Sequence, residues 1–175
     1  MNKKMYAVSV IAGAAALLAS TTTPASAATG DTTTTFALAG TGLSITVQPT
    51  AALTNGATGA SSVSGSLGTV TVNDARGGVT PWSANATSTT FTSTTGATVS
   101  TSTGVSYASG PITSTGSLTI PPLGATALNG TPTKVAGPTV VTGNNTAAWN
   151  PTLTVNLPTT ALAGSYTGTI NTSVS

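Results

Sequence analysis

Two ionisable side chains lie close together in an otherwise uncharged region: Asp74 and Arg76, in the stretch GTVTVNDARGG. In an extended segment, residues two positions apart lie on the same face, with their Cα atoms about 6–7 Å apart. An adjacent guanidinium lowers the pKa of a carboxyl group, which makes Asp74 a weak candidate for a general base. We therefore predict that the two residues form a structural ion pair, which holds the end of a strand beside the Gly77-Gly78 turn.

Most other residue types that enzymes use for proton transfer or covalent catalysis are absent from the chain. It contains no His, no Cys and no Glu, and its two acidic residues, Asp31 and Asp74, lie far apart in the sequence. The 41 Thr and 20 Ser residues supply many hydroxyl groups, but the sequence offers no base that would activate one of them. We therefore predict a non-enzymatic protein without catalytic residues, a metal site or a cofactor.

Four aromatic residues are the candidates for binding a ligand: Trp82, Trp149, Tyr107 and Tyr166. An aromatic face can stack against a sugar ring, but the same side chains can also fill the core of a β domain. For the two tryptophans we favour the core interpretation, and stacking on a glycan is the alternative. For the two tyrosines, stacking remains a weaker candidate role.

The first 27 residues have the features of an export signal. Two lysines precede an apolar run over residues 8–18, and small residues of the kind that a signal peptidase accepts end at Ala27. The run is shorter than the roughly 20 apolar residues that span a bilayer. We predict a helical signal peptide over residues 1–27, a flexible segment over residues 28–35, and a secreted protein at the cell surface with no membrane span after cleavage.

The chain after Ala27 is electrically neutral, because Asp31 and Asp74 balance Arg76 and Lys134. A protein that binds nucleic acid needs a basic surface that displaces counterions from the phosphates. We therefore exclude nucleic acid as a partner. Zero net charge also removes the electrostatic repulsion that keeps protein molecules apart, which makes self-association possible.

Apolar residues alternate with Thr, Ser and other polar residues in several short segments, a period that is typical of β-strands. The clearest segments cover residues 43–47, 63–73, 117–120, 148–157 and 165–174. Gly and Pro separate the segments, and the chain after the signal has no apolar 3.6-residue pattern of useful length. We predict one all-β domain over residues 36–175: an antiparallel, Ig-like β-sandwich of about eight strands.

Two parts of the sequence look familiar when they are taken together. One is the stretch VNDARGG followed by Trp82-Ser-Ala, and the other is Ala148-Trp149-Asn-Pro followed by the segment GSYTGTI near the end. They resemble the WxL-domain family of secreted surface proteins of Gram-positive bacteria, particularly the small stand-alone forms of actinobacteria. Ala84 and Pro151 replace the leucine of the family's Trp-any-Leu pattern. The resemblance implies non-covalent attachment to peptidoglycan.

Two functional hypotheses from different classes follow. In the first, the chain is a secreted surface module that associates with the cell wall and binds peptidoglycan, another neutral wall glycan or other surface proteins. In the second, it is a self-assembling structural subunit of an extracellular layer or fibre. Thr-rich strand edges with almost no Lys favour the second hypothesis, since they lack the charges that prevent strands of different molecules from pairing.

Overall fold

The structure, a computed structural model, describes residues 32–54, 56–100 and 104–175. The predicted signal peptide over residues 1–27 and the start of the predicted flexible segment 28–35 lie outside this part of the chain. Within it, every regular element is a strand, and no helix is present that is long and apolar enough to cross a membrane.

The chain divides into two units, Met1–Ala37 and Leu38–Ser175. Fourteen strands are found among the described residues, and all of them lie in the second unit. In chain order they are β1 (Gly42–Thr46), β2 (Ser62–Ser66), β3 (Val70–Ala75), β4 (Ala84–Ser88), β5 (Phe91–Ser93), β6 (Thr98–Val99), β7 (Val105–Ala108), β8 (Ile112–Thr119), β9 (Thr126–Leu128), β10 (Thr133–Ala136), β11 (Val140–Trp149), β12 (Thr152–Asn156), β13 (Tyr166–Thr167) and β14 (Ile170–Val174).

These strands form antiparallel sheets that pack on one another as a sandwich. Two sheets have four strands, in the orders β1-β3-β11-β8 and β2-β12-β7-β9. Two smaller sheets have three strands, in the orders β10-β4-β14 and β13-β5-β6. The predicted all-β, antiparallel sandwich is therefore confirmed.

The strand number differs from the prediction of about eight, because long alternating segments are divided. The predicted strand over residues 63–73 forms β2 and β3, and Gly68 adopts a left-handed conformation between them, with φ of 83°. The predicted strand over residues 148–157 is divided between β11 and β12 at Pro151, which has no amide hydrogen to donate to a ladder. The short strands β5, β6, β9 and β13 span only two or three residues and show no clear alternation.

The core is built from the inward side chains of alternating positions. On β3, Val70 and Val72 are buried, whereas Thr71 and Asn73 are more exposed on the opposite face. Each large apolar side chain contributes about 1.5–3 kcal/mol when it is buried. The chain has no cysteine and hence no disulfide, so this burial and the sheet hydrogen bonds hold the fold.

Strand β11 positions most of the residues discussed below. It spans ten residues and pairs with β3 on one side and with β8 on the other. Its register with β8 shifts between Thr142 and Thr146, where the pairing is irregular. In the second half of the strand, Asn145, Ala147 and Trp149 alternate along the chain and are all buried, so they share the face that is directed at the core.

Candidate functional site

Asp74 and Arg76 form a bidentate ion pair at the end of β3. The Asp74 side chain is buried, whereas the Arg76 side chain is 32 % exposed. Arg76 Nε donates to Asp74 Oδ1 over 2.9 Å, and Arg76 Nη2 donates to Asp74 Oδ2 over 3.0 Å. The same Nη2 also donates to the carbonyl oxygen of Thr80 over 3.1 Å. The pair therefore braces the connection from β3 to β4.

The electrostatics of this pair do not favour proton transfer. Hydrogen bonds from Arg76 hold the pKa of the Asp74 carboxyl below its ordinary value, although burial acts in the opposite direction. The same contact raises the pKa of the Arg76 guanidinium. Asp74 is the only acidic residue in the described part of the chain. A lone carboxylate with a lowered pKa is a weak base, so this arrangement holds a turn and is unsuited to general base catalysis.

The ion pair is connected to the core by Asn145, a residue that the sequence pattern did not identify. Asn145 lies opposite Asp74 across the β3–β11 pairing. Its Nδ2 donates to Asp74 Oδ2 over 3.4 Å and to the Gly143 carbonyl over 3.1 Å, and its Oδ1 accepts from Trp82 Nε1 over 3.1 Å. The sequence did hold one indication of its position. Asn145 lies four positions before Trp149, so in an extended strand it shares a face with a residue that was predicted to lie in the core.

The second tryptophan has a neutral partner. Trp149 Nε1 donates to the Tyr107 hydroxyl over 2.9 Å, and both side chains are buried. Tyr107 lies on β7 and Trp149 on β11, so this hydrogen bond joins the two four-stranded sheets. Burial raises the pKa of Tyr107 to about 12. The phenol therefore remains neutral at physiological pH.

Three of the four candidate stacking residues lie in the core. Trp82, Trp149 and Tyr107 are at most 2 % exposed, so their ring faces are covered by protein. Each tryptophan N–H has a hydrogen-bond partner inside the sandwich, which offsets the cost of burying a polar group. Stacking on a sugar is therefore wrong for these three residues, and they belong to the core.

Tyr166, the fourth candidate, is half-buried and lines a groove of about 820 Å³. The groove lies between the loop that precedes β2 and the loop that follows β12, and we call it the loop groove. Its lining is mainly apolar or small and includes Leu53, Phe91 and Leu157, and no Asp, Glu, Lys or Arg is among the described residues that form it. The Tyr166 hydroxyl donates to the Leu162 carbonyl over 2.8 Å, which ties the ring to the groove wall.

A second surface is polar and also uncharged. On the outer face of the sheet β1-β3-β11-β8, the strand register aligns two rows of four residues, which we call the hydroxyl face. The rows are Ser44, Asn73, Thr146 and Thr115, and then Thr46, Thr71, Ala148 and Thr113. Neighbouring strands lie about 4.8 Å apart and the two rows about 6.8 Å apart. Seven of these eight side chains carry a hydroxyl or amide group. Thr115 and Thr146 share a hydrogen bond of 2.6 Å and the Thr113 hydroxyl donates to the Ala148 carbonyl over 3.2 Å, so these three offer a ligand only their remaining hydrogen-bonding positions.

The described residues contain no group of three or more His, Cys, Asp or Glu side chains that could hold a metal ion. Comparisons of the chain with protein-family models, with curated proteins and with solved structures give no match. The resemblance to the WxL-domain family therefore stays a prediction. The hydroxyl face and the loop groove are two surfaces from which a function can be inferred.

Proposed function

We propose that the chain is a secreted, non-enzymatic cell-surface protein that associates non-covalently with the cell wall through its hydroxyl face. The observation that carries this proposal is the alignment of uncharged hydroxyl and amide side chains in two rows across four strands. Glycan strands of peptidoglycan present hydroxyl and N-acetyl groups. These groups can donate to and accept from Thr, Ser and Asn side chains without any charge being desolvated.

The expected binding is weak at each point and depends on repetition. A single hydrogen bond that replaces one to water contributes only about 0.5–1.5 kcal/mol. Several such bonds along one row therefore act together, and a polymer with many repeats offers each bound molecule further sites nearby. The resemblance to the WxL-domain family supports the same partner, because members of that family attach to peptidoglycan without a covalent bond.

Co-sedimentation with purified peptidoglycan sacculi tests this proposal. The exported form of the chain should pellet with the sacculi, and the double variant Asn73→Ala/Thr146→Ala should pellet several-fold less. These two residues face each other across β3 and β11 at the centre of one row. Wild-type protein that remains in the supernatant would contradict wall association.

A matched control exists on another sheet. Asn171 and Thr87 face each other across β14 and β4, with the same exposed and half-buried classes as Asn73 and Thr146. The variant Asn171→Ala/Thr87→Ala should pellet like the wild type. Equal loss of binding in both variants would show that the hydroxyl face is not the specific contact.

The second candidate function, a self-assembling subunit of an extracellular layer or fibre, is favoured by strand β8. This eight-residue strand lies at the edge of its sheet and pairs only with β11 among the described strands. Its sequence ITSTGSLT has no charged residue and no Pro, and most of its residues are exposed. Edge strands of soluble proteins usually carry charged residues or Pro, which prevent pairing with another molecule. Because β8 has neither, its edge is open to such pairing.

Light scattering against protein concentration tests this second candidate. The mean molar mass of the wild type should rise with concentration, and Ser114→Lys, which places a charge on β8, should reduce that rise. Thr90→Lys is the control, because it adds the same charge at an exposed position outside the strands. A wild type that stays monomeric at all concentrations would rule the candidate out.

A further inference from the structure

A second, smaller cavity lies at one end of the hydroxyl face. Its volume is about 240 Å³, and we call it the end pocket. The residues that line it are Thr69, Pro111, Thr113, Ala148, Trp149 and Asn150. Thr113 and Ala148 are also neighbours in the second row of the hydroxyl face, so the end pocket and the face form one continuous surface.

The strand register explains why the end pocket continues the rows. The last residue of β11, Trp149, pairs with the first residue of β3 and with the first residue of β8. The next residue, Asn150, therefore comes beside the residues that precede those two strands, Thr69 and Pro111. All three are exposed, and each lies two positions from a member of the second row. They extend the outward face by one further level.

The cavity opens where the second row has its smallest side chain. Ala148 is the one member of the two rows without a hydroxyl or amide group, and it lies between Thr71 and Thr113. The methyl side chain leaves a depression between the two longer ones. The volume of about 240 Å³ is below the roughly 300–1,000 Å³ of pockets that enclose a whole ligand. The end pocket therefore fits one substituent of a larger ligand.

The polar side chains of the end pocket have hydrogen-bonding positions left for a ligand. Ser66 Oγ donates to Asn150 Oδ1, so Nδ2 of the same amide remains a donor. The Thr113 hydroxyl donates to the Ala148 carbonyl over 3.2 Å, so the hydroxyl oxygen remains an acceptor. A substituent that brings both a carbonyl oxygen and an N–H group matches these two positions.

The rest of the lining selects against charge and favours a small apolar group. Pro111, Ala148 and Trp149 contribute apolar surface, and none of the described residues that line the end pocket is charged. A carboxylate or an ammonium group would lose its water there without meeting an opposite charge. A lone sugar hydroxyl would leave the apolar part of the cavity empty. An acetamido group brings a methyl, a carbonyl and an N–H, and it is uncharged.

We propose that the end pocket binds the acetamido group of an N-acetylated hexosamine, while the glycan chain that carries this sugar runs along the second row. The proposal rests on the wall association proposed above, and it names the substituent of the glycan that is recognised. The two rows supply hydrogen bonds to hydroxyl groups, which every neutral glycan offers. The end pocket then supplies the preference for N-acetylated chains.

Two soluble tetramers with the same backbone test this preference. N-acetylchitotetraose and cellotetraose differ only in the group at the second carbon of each sugar, which is acetamido in the first and hydroxyl in the second. Each is titrated into the exported form of the chain, and the NMR signals of the backbone amides report binding. Burial of one methyl group and one added hydrogen bond each strengthen binding a few-fold, so N-acetylchitotetraose should bind about tenfold more tightly.

Two variants alter the end pocket and a third is the matched control. Ala148→Val fills the depression with a residue that strands favour, and it should bring the two affinities within about twofold of each other. Asn150→Ala removes the donor and should reduce the preference by about threefold. Ala75→Val makes the first substitution at another half-buried, outward position of the same sheet, at the opposite end of β3, and it should keep the wild-type preference.

The outcomes separate the end pocket from wall association. Equal affinity of the wild type for both tetramers, or binding of neither, would overturn the end pocket, even if the wild type pellets with sacculi. A preference that survives in Ala148→Val, or that is lost equally in Ala75→Val, would also overturn it. A wild type that prefers N-acetylchitotetraose but stays in the supernatant with sacculi would support the end pocket and contradict wall association.

Discussion

The two buried tryptophans are satisfied in different ways. Trp82 donates to Asn145, which is held by Asp74, and Asp74 is paired with the partly exposed Arg76. Trp149 donates directly to the buried hydroxyl of Tyr107. The first arrangement is a charged network that reaches the surface, and we call it the Trp82 network. The second is a neutral pair enclosed in the core, and we call it the Trp149 pair.

The difference shows two ways in which a sandwich can bury an indole without leaving its N–H unsatisfied. A neutral acceptor needs no connection to solvent, whereas a buried carboxylate must be compensated by a cation or by further donors. The two regions should therefore respond differently to substitution and to pH. Both lie in the same sandwich, so each serves as the reference for the other.

The largest expected effect is the loss of the carboxylate at the centre of the Trp82 network. Asp74→Ala removes the carboxylate acceptor of the Arg76 guanidinium and the Asn145 amide, which keep only the carbonyls of Thr80 and Gly143. We expect it to lower the free energy of unfolding by about 3 kcal/mol. Asp74→Asn keeps the shape and one acceptor and should cost less. Urea denaturation followed by tryptophan fluorescence measures both variants. A loss below that of Tyr107→Phe would reverse the ranking of the two regions.

The next effect separates the regions by pH. Tyr107 has its pKa raised to about 12 in the folded chain, so its neutral form stabilises the fold fully below the ordinary tyrosine value of about 10. That contribution should be lost as pH rises through the folded pKa. The loss of stability amounts to roughly 2 kcal/mol by about pH 12. Denaturation midpoints along an alkaline series should show the decline in wild type and much less of it in Tyr107→Phe.

At acid pH, the change in stability should come from the Trp82 network. Because the pKa of Asp74 is lowered in the folded chain, its contribution is present above the unfolded value. It is lost as the carboxylate becomes protonated, progressively below about pH 5. Asp74→Asn should remove this dependence on acid pH, whereas Tyr107→Phe should retain it. An unchanged acid decline in Asp74→Asn would assign it to another group.

A smaller effect is expected when the neutral pair is broken at pH 7. Tyr107→Phe keeps the ring but removes the acceptor of Trp149 Nε1, which should cost about 1–2 kcal/mol. Trp149→Phe is the complementary variant, since it removes the donor and leaves the hydroxyl unpaired. In a double-mutant cycle the two losses should be less than additive, because both variants break one bond. Strict additivity would show that the hydrogen bond contributes little.

The smallest effect should come from the exposed end of the Trp82 network. Arg76→Gln removes the charge and keeps most of the aliphatic stem, and the side chain is already 32 % exposed. The buried Asp74 carboxylate keeps the Arg76 backbone N–H and the Asn145 amide as donors, and solvent screens the exposed guanidinium, so we expect a loss of no more than about 1 kcal/mol at moderate salt. Added salt should reduce the difference from wild type. A loss as large as that of Asp74→Ala would mean that the guanidinium carries the network.

Local patterns in the sequence were sufficient to predict the fold class and several inward faces. Trp82 and Trp149 lie in the core as predicted, and Ala84 and Ala86 are buried on the same side as Trp82, because successive side chains of a strand point to opposite faces. The partners of the tryptophans could not be predicted in this way. Trp149 and Tyr107 are 42 positions apart, and Trp82 and Asn145 are 63 apart. Which strands pair depends on the whole sandwich.

The loop groove could not be predicted from the sequence either. Most of its lining comes from loops of Ala, Gly and Thr that have no hydrophobic period, so their side chains could not be assigned to a face. The hydroxyl face was only partly predictable. Outward Thr residues follow from alternation, but their alignment in rows depends on the register between β1, β3, β11 and β8.

Strand β11 connects the two compared regions, since Asn145 and Trp149 lie four positions apart on its buried side. A one-residue slip of this strand would turn both side chains to solvent at once. The Trp82 N–H and the Tyr107 hydroxyl would then lose their hydrogen-bond partners. In a chain so rich in threonine, many outward residues are alike. They therefore distinguish poorly between the correct register of β11 and a register shifted along its neighbouring strands. Only one alignment of β11 satisfies both partners together, so Asn145 and Trp149 favour the observed register over neighbouring ones.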